Sequence, residues 1–185
     1  MTTSAEMKAI QAVMEAAHFA AQKHANQKRK GAAAEPYINH LLEVAELVSG
    51  AVSEPDANLV MAALLRDTIE DVGVTEAELA ERFGTDVADL VVECTDDKTL
   101  PKEERKRLQV VNAPHKSVRA QVIKLADKTS NLRAMLTSPP ADWDMERRRA
   151  YFIWAKQVVD GFTAPNAVLK AEFDKTYRQF ANEGS

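Results

Sequence analysis

Apolar residues recur at helical intervals along nearly the whole chain, and they divide it into a series of helices joined by short polar breaks. Ile10, Val13, Met14, Ala17 and Ala21 mark a first helix that begins near Thr3-Ser4-Ala5-Glu6, a stretch with capping-box spacing. It runs out in the basic segment Lys23 to Gly31. After a loop to Pro36, a second helix spans about Tyr37 to Val48, with His40 in phase with Val44, Leu47 and Val48 on its apolar face. Pro55-Asp56 opens a third helix. Thr75-Glu76-Ala77-Glu78 repeats the capping-box pattern, and Phe83-Gly84 closes the short helix it begins. Further helices are expected over Asp86 to Thr95, after Pro101, from Ser117 to Leu136, from Trp143 to Val159 and from Pro165 to Phe180. Strand-like alternation of useful length, repeats and low-complexity tracts are missing from the pattern. The expected class is all-α, a bundle of about eight to ten helices forming one domain over residues 1–185.

Composition narrows the function more than the fold. A formal charge of -4 gives no reason to expect nucleic-acid binding over the whole surface, so any anion site must be local. Cys94 is the only cysteine and lies in an apolar run, which fits a packed core thiol in a reducing compartment. The segment Met1 to Ile10 lacks the pattern of a signal peptide, and no apolar run reaches membrane-spanning length. A cytoplasmic protein without a membrane partner is expected.

Candidate chemistry starts in the third helix. Ala62 to Leu65 is apolar, and the next six positions hold Arg66, Asp67, Glu70 and Asp71, a concentration of charge that is costly to fold without partners or a ligand. Helical spacing of i, i+3 and i+4 places Asp67, Glu70 and Asp71 on one face. The face carrying Arg66 runs back through Ala62, Ala63 and Leu59 and so points inward. His40 and Asp127 are likewise polar residues in apolar helical settings. One imidazole and two carboxylates suit Mn²⁺ or another divalent ion, and Glu70 and Asp71 lie one turn beyond Asp67, where a carboxylate can deprotonate a water. The competing reading of His40 is a hydrogen-bonded core histidine, and that of Lys28-Arg29-Lys30 is a solvated loop. His24 is expected to make a structural hydrogen bond, His115 to be exposed in a turn, and Trp143, Phe152 and Trp154 to be mostly core.

Six segments, among them HFAAQKHANQKRKG, PYINHLLEVA, AALLRDTIEDVGVT and VIKLADKTSNLRAML, resemble the HD-domain small alarmone hydrolases, relatives of the hydrolase half of RelA/SpoT enzymes. The resemblance implies an all-helical HD fold and a metal-dependent 3′-pyrophosphohydrolase acting on (p)ppGpp or an adenine alarmone. It implies metal ligands at His40, Asp67 and Asp127, a catalytic pair at Glu70 and Asp71, and nucleotide contacts at Arg29, Lys30, Asn131 and Tyr151. Lys102 and Lys106 are further candidates for phosphate contact. A small nucleotide is the partner so implied. Two other readings stand beside it, a phosphatase acting on the 2′-phosphate of NADPH and a catalytically silent nucleotide-binding module.

One position departs from the family pattern. The His-Asp pair that defines it is here Arg66-Asp67, and a guanidinium has no lone pair for a metal. Either Arg66 swings aside and His40, Asp67 and Asp127 hold the ion weakly, or the guanidinium takes the ion's place and leaves a metal-free fold. A deliberate change that traps substrate would leave no mark in a sequence.

Overall fold

A computed structural model of the chain describes residues 3–183. The first two and last two residues of the expected 1–185 domain, with the start of the segment read for a signal peptide, lie outside them. Ten α-helices and one 3₁₀ turn account for the regular structure among the described residues, and no strand is present there. The all-α expectation holds. No described helix is long and apolar enough to cross a membrane. The chain forms two compact units, Met1–Gln27 with Pro36–Asp96, and Lys28–Glu35 with Asp97–Ser185.

The first unit contains α1 (Ser4–Lys23), α2 (Tyr37–Ala51), α3 (Ala57–Leu65), α4 (Thr68–Val72), α5 (Glu76–Phe83) and α6 (Thr85–Cys94). Its centre is α3, against which α1, α2 and α6 pack. Leu59, Met61, Ala62, Ala63, Leu64 and Leu65 are all buried, as a helix apolar on every side requires. Thr3 and Glu6 form the expected capping box on α1, and the Thr75 hydroxyl accepts from the Glu78 amide to start α5. Gly84 ends α5 at φ +92°, a conformation that favours glycine. Burial on α1 falls to Ala16, Phe19 and Ala20, whereas Ile10 and Met14 are exposed. The periodicity located that helix and not its core face.

The continuous third helix is corrected by the structure. It stops at Leu65 and restarts at Thr68 as α4, with Asp67 in the turn between them. No glycine or proline causes the break. The Thr68 hydroxyl instead donates to the Leu65 carbonyl at 2.6 Å, and the Arg66 guanidinium donates to the Ala63 carbonyl at 2.9 Å. These side chains satisfy carbonyls that another helical turn would have used. Asp67 therefore stands at the head of α4, and Glu70 and Asp71 lie in its first turn.

The second unit contains α7 (Lys102–Asn112), the 3₁₀ turn Ala113–His115, α8 (Val118–Thr137), α9 (Met145–Asp160) and α10 (Ala167–Glu183). The central α8 starts at the Ser117 cap and packs on α9 and α10. Phe152 and Phe180 stack at 3.9 Å between centroids, and Phe173, Leu132 and Leu169 of the same unit are also buried. The charged α7 buries no residue, as its composition suggested, and His115 is exposed in its turn. Cys94 of the first unit is a buried thiol, also as expected.

Candidate functional site

The expected site residues fall into two sets, one in each unit. In the first unit His40 projects from α2, Arg66 and Asp67 occupy the α3–α4 turn, and Glu70 and Asp71 follow in α4. His40 and Arg66 are almost fully buried, at 2% and 3% exposure. An Arg66 terminal nitrogen, Nη2, lies 2.5 Å from His40 Nε2 and 3.1 Å from Asp67 Oδ2. A guanidinium can only donate, so His40 Nε2 accepts and the imidazole carries its proton on Nδ1. The Tyr37 hydroxyl donates to the same Asp67 Oδ2 at 2.9 Å.

The two carboxylates beyond Asp67 are anchored differently. Glu70 Oε2 accepts from the backbone amide of Asp96 at 3.3 Å. Asp71 Oδ2 accepts from the Gln27 side-chain amide at 2.8 Å, and the Gln27 carbonyl faces His24 Nδ1 at 2.5 Å. With the Gln27 amide spent on Asp71, its oxygen must accept, so the proton of His24 sits on Nδ1. The His24 ring is buried and stacked on Tyr37 at 5.3 Å. His24 thus makes the structural hydrogen bond expected of it, and the His24–Gln27 pair orients Asp71 while Tyr37 orients Asp67. Replacing Gln27 by leucine keeps the volume but strips a bond from His24 and another from Asp71. The expected loss is about 1–3 kcal/mol of unfolding free energy in denaturant titrations.

In the second unit a chain of contacts runs along α8. Arg29 donates to Asn131 Oδ1 at 3.0 Å, the Asn131 amide donates to Asp127 Oδ1 at 3.2 Å, and Lys128 Nζ lies 3.3 Å from Asp127 Oδ2. Burial, then the charge of Asp127, pushes the Tyr151 hydroxyl's pKa up, so it remains a protonated donor. Trp143 and Trp154 are only half-buried and lie under cations. Arg147 and Lys102 sit over Trp143, and Lys106 and Lys128 over Trp154. Of the three aromatics expected in the core, only Phe152 is fully buried. Partial burial, then Lys106, Arg147 and Lys30, lowers the pKa of Lys102, the signature of a crowded basic patch that an anion would relieve.

The loop carrying Arg29 and Lys30 is fixed to the end of α8. The Ala32 amide donates to the Pro139 carbonyl at 3.2 Å and the Ala33 amide to the Ser138 hydroxyl at 2.9 Å. A Cβ on Gly31 would run into the Ser138 carbonyl oxygen and hydroxyl. Gly31→Ala must therefore displace the loop, and its expected effect is a loss of about 1–3 kcal/mol, read from the unfolding midpoint.

Gln27, Tyr37 and Lys128 were not singled out from sequence. Neutral polar residues that act across 30 or 44 positions leave no periodic mark. Lys128 adjoins Asp127 in sequence, and that adjacency was the available signal.

Residues 16–156 match the HD domain family. The chain therefore belongs to the HD-domain family, whose hydrolases depend on divalent metals. Within it the chain is similar to the guanosine-3′,5′-bis(diphosphate) 3′-pyrophosphohydrolases named MESH1. It is 47% identical to that of Xenopus tropicalis, over 89% of this chain and 92% of the relative, and 46% identical to that of Homo sapiens, over 90% and 93%. A solved structure of a metazoan SpoT ortholog, described as hydrolysing ppGpp, superposes with a TM-score of 0.86 at 45% identity, covering 91% of this chain and 94% of that one.

Whether a divalent ion fits can be judged from the donors. His40 Nε2 and Asp67 Oδ2 are suitable atoms by type, yet both are engaged by one buried guanidinium nitrogen. Among the described residues no group of three His, Cys, Asp or Glu side chains is disposed to hold a metal. As arranged, these residues do not fit the ion.

Proposed function

We propose that the chain is a 3′-pyrophosphohydrolase of guanosine-3′,5′-bis(diphosphate) or its adenine counterpart, with a turnover limited by Arg66. The observation that supports this reading is the 44–47% identity to the MESH1-named proteins over about nine tenths of both chains. The family match runs from residue 16 to 156, through segments of both units, which supports one HD-type domain.

In the reaction so assigned, a water oxygen bonds to the ribose-proximal phosphorus of the 3′-diphosphate and the P–O3′ bond breaks. The 3′ oxygen gains a proton, and GDP and pyrophosphate leave. Glu70 and Asp71 are the groups proposed to take the water's proton and return one to the leaving oxygen. Their anchors on the Asp96 amide and on Gln27 hold one oxygen of each carboxylate in place. Arg29, Lys30, Lys102 and Lys106 are proposed to meet the phosphates, where cations on an acidic protein are needed, and Asn131 and Tyr151 to line the nucleotide pocket. His40, Asp67 and Asp127 are the residues proposed to ligate Mn²⁺ where position 66 carries no arginine; with Arg66 bonded to two of them they do not fit the ion. The buried lone cysteine supports a reducing, cytoplasmic setting.

Substrate competition tests the assignment. With ppGpp and NADPH at equal concentration, pyrophosphate from ppGpp is expected to exceed phosphate from NADPH, and the reverse order would reassign the chain to the 2′-phosphatase reading.

A further inference from the structure

The geometry points to Arg66 as a resident blocking cation: its guanidinium occupies the metal-donor atoms of His40 and Asp67 and excludes a divalent ion, beyond merely failing to supply a ligand. The inference rests on reading His40 and Asp67 as donors. A missing ligand and a blocking charge are different lesions. With the ligand merely missing, His40 Nε2 and Asp67 Oδ2 would remain available and a water would complete the shell. In the structure both atoms accept from Arg66 Nη2, at 2.5 and 3.1 Å. Arg66 is also fixed from behind by its bond from Nη1 to the Ala63 carbonyl at 2.9 Å, within the last turn of the central helix. At 3% exposure its charge is poorly screened. An arriving ion must break two donor contacts and also face a like charge.

Substitutions at position 66 separate the two lesions, read by calorimetric titration with Mn²⁺ alone and by the Mn²⁺-induced shift in Tm. Arg66→Lys keeps a cation, Arg66→Met removes it without adding a ligand for a hard ion, and Arg66→His removes it and adds one. Blocking predicts that wild type and Arg66→Lys bind Mn²⁺ equally weakly, that Arg66→Met binds at least about tenfold more tightly, and that Arg66→His binds more tightly still. Far-UV circular dichroism checks that each protein is folded, and Arg66→Leu, which likewise removes the charge and adds no ligand, takes the place of Arg66→Met if that variant is not. Arg66→Met binding no more tightly than wild type would overturn blocking and leave a missing ligand alone. So would a wild type that already binds Mn²⁺ as tightly as Arg66→His. Because no nucleotide is present, the result is independent of the substrate assignment. A gain of Mn²⁺ by both Arg66→Met and Arg66→His, with ppGpp left intact by Arg66→His, upholds the blocking role and overturns the hydrolase reading instead.

Discussion

Replacing Arg66 by histidine is expected to raise pyrophosphate release from ppGpp in the presence of Mn²⁺ by about two to three orders of magnitude. The wild-type side chain takes up the Nε2 lone pair of His40 and an oxygen of Asp67. Histidine ends that engagement and offers a lone pair of its own. Metal participation in phosphoryl chemistry is worth several kcal/mol, and each 1.36 kcal/mol is about tenfold in rate. The substitution also removes a buried charge that Asp67 answers, so a fall in Tm without metal and its recovery with Mn²⁺ should accompany the gain. Initial rates from a coupled pyrophosphate assay check the prediction.

Glu70→Gln and Asp71→Asn form the second large effect. Each keeps the size of the side chain and removes its capacity to take a proton, so kcat should fall by about 10²–10⁴ while KM for ppGpp changes little. The comparison belongs in both the wild-type and Arg66→His backgrounds, since the second gives the larger signal. Asp71→Asn carries an added consequence. An asparagine can meet Gln27 through its oxygen, so the His24–Gln27 pair persists and stability is largely kept. Loss of turnover with an unchanged Tm identifies a proton-transfer role. Equal losses of both would make Asp71 a structural anion.

The helical class was legible in the sequence because several helices begin on residues with local reasons to start one. Thr3, Thr75, Ser117 and Asp144 cap the helices they precede, and Gly84 closes α5. The break at Arg66-Asp67 was not legible. Apolar periodicity runs straight through it, and what stops α3 is the choice of Thr68 and Arg66 to bond carbonyls three residues back. Charged candidates were readable wherever a carboxylate or histidine interrupted an apolar stripe, as at His40, Asp67 and Asp127. Their supports were hidden. Gln27 and Tyr37 look like ordinary loop and helix-start residues until the fold lays them against Asp71 and Asp67. Position 66 shows the same division. Sequence said that arginine cannot ligate a metal, and the structure adds that it bonds to two of the donors that could.

Product identification tests the central claim most directly. The Arg66→His protein, given Mn²⁺ and ppGpp, is expected to yield GDP and pyrophosphate in equal amounts by anion-exchange chromatography and ³¹P NMR. Orthophosphate as the released product, or ppGpp left intact by a folded protein with Mn²⁺ bound, would contradict the assignment.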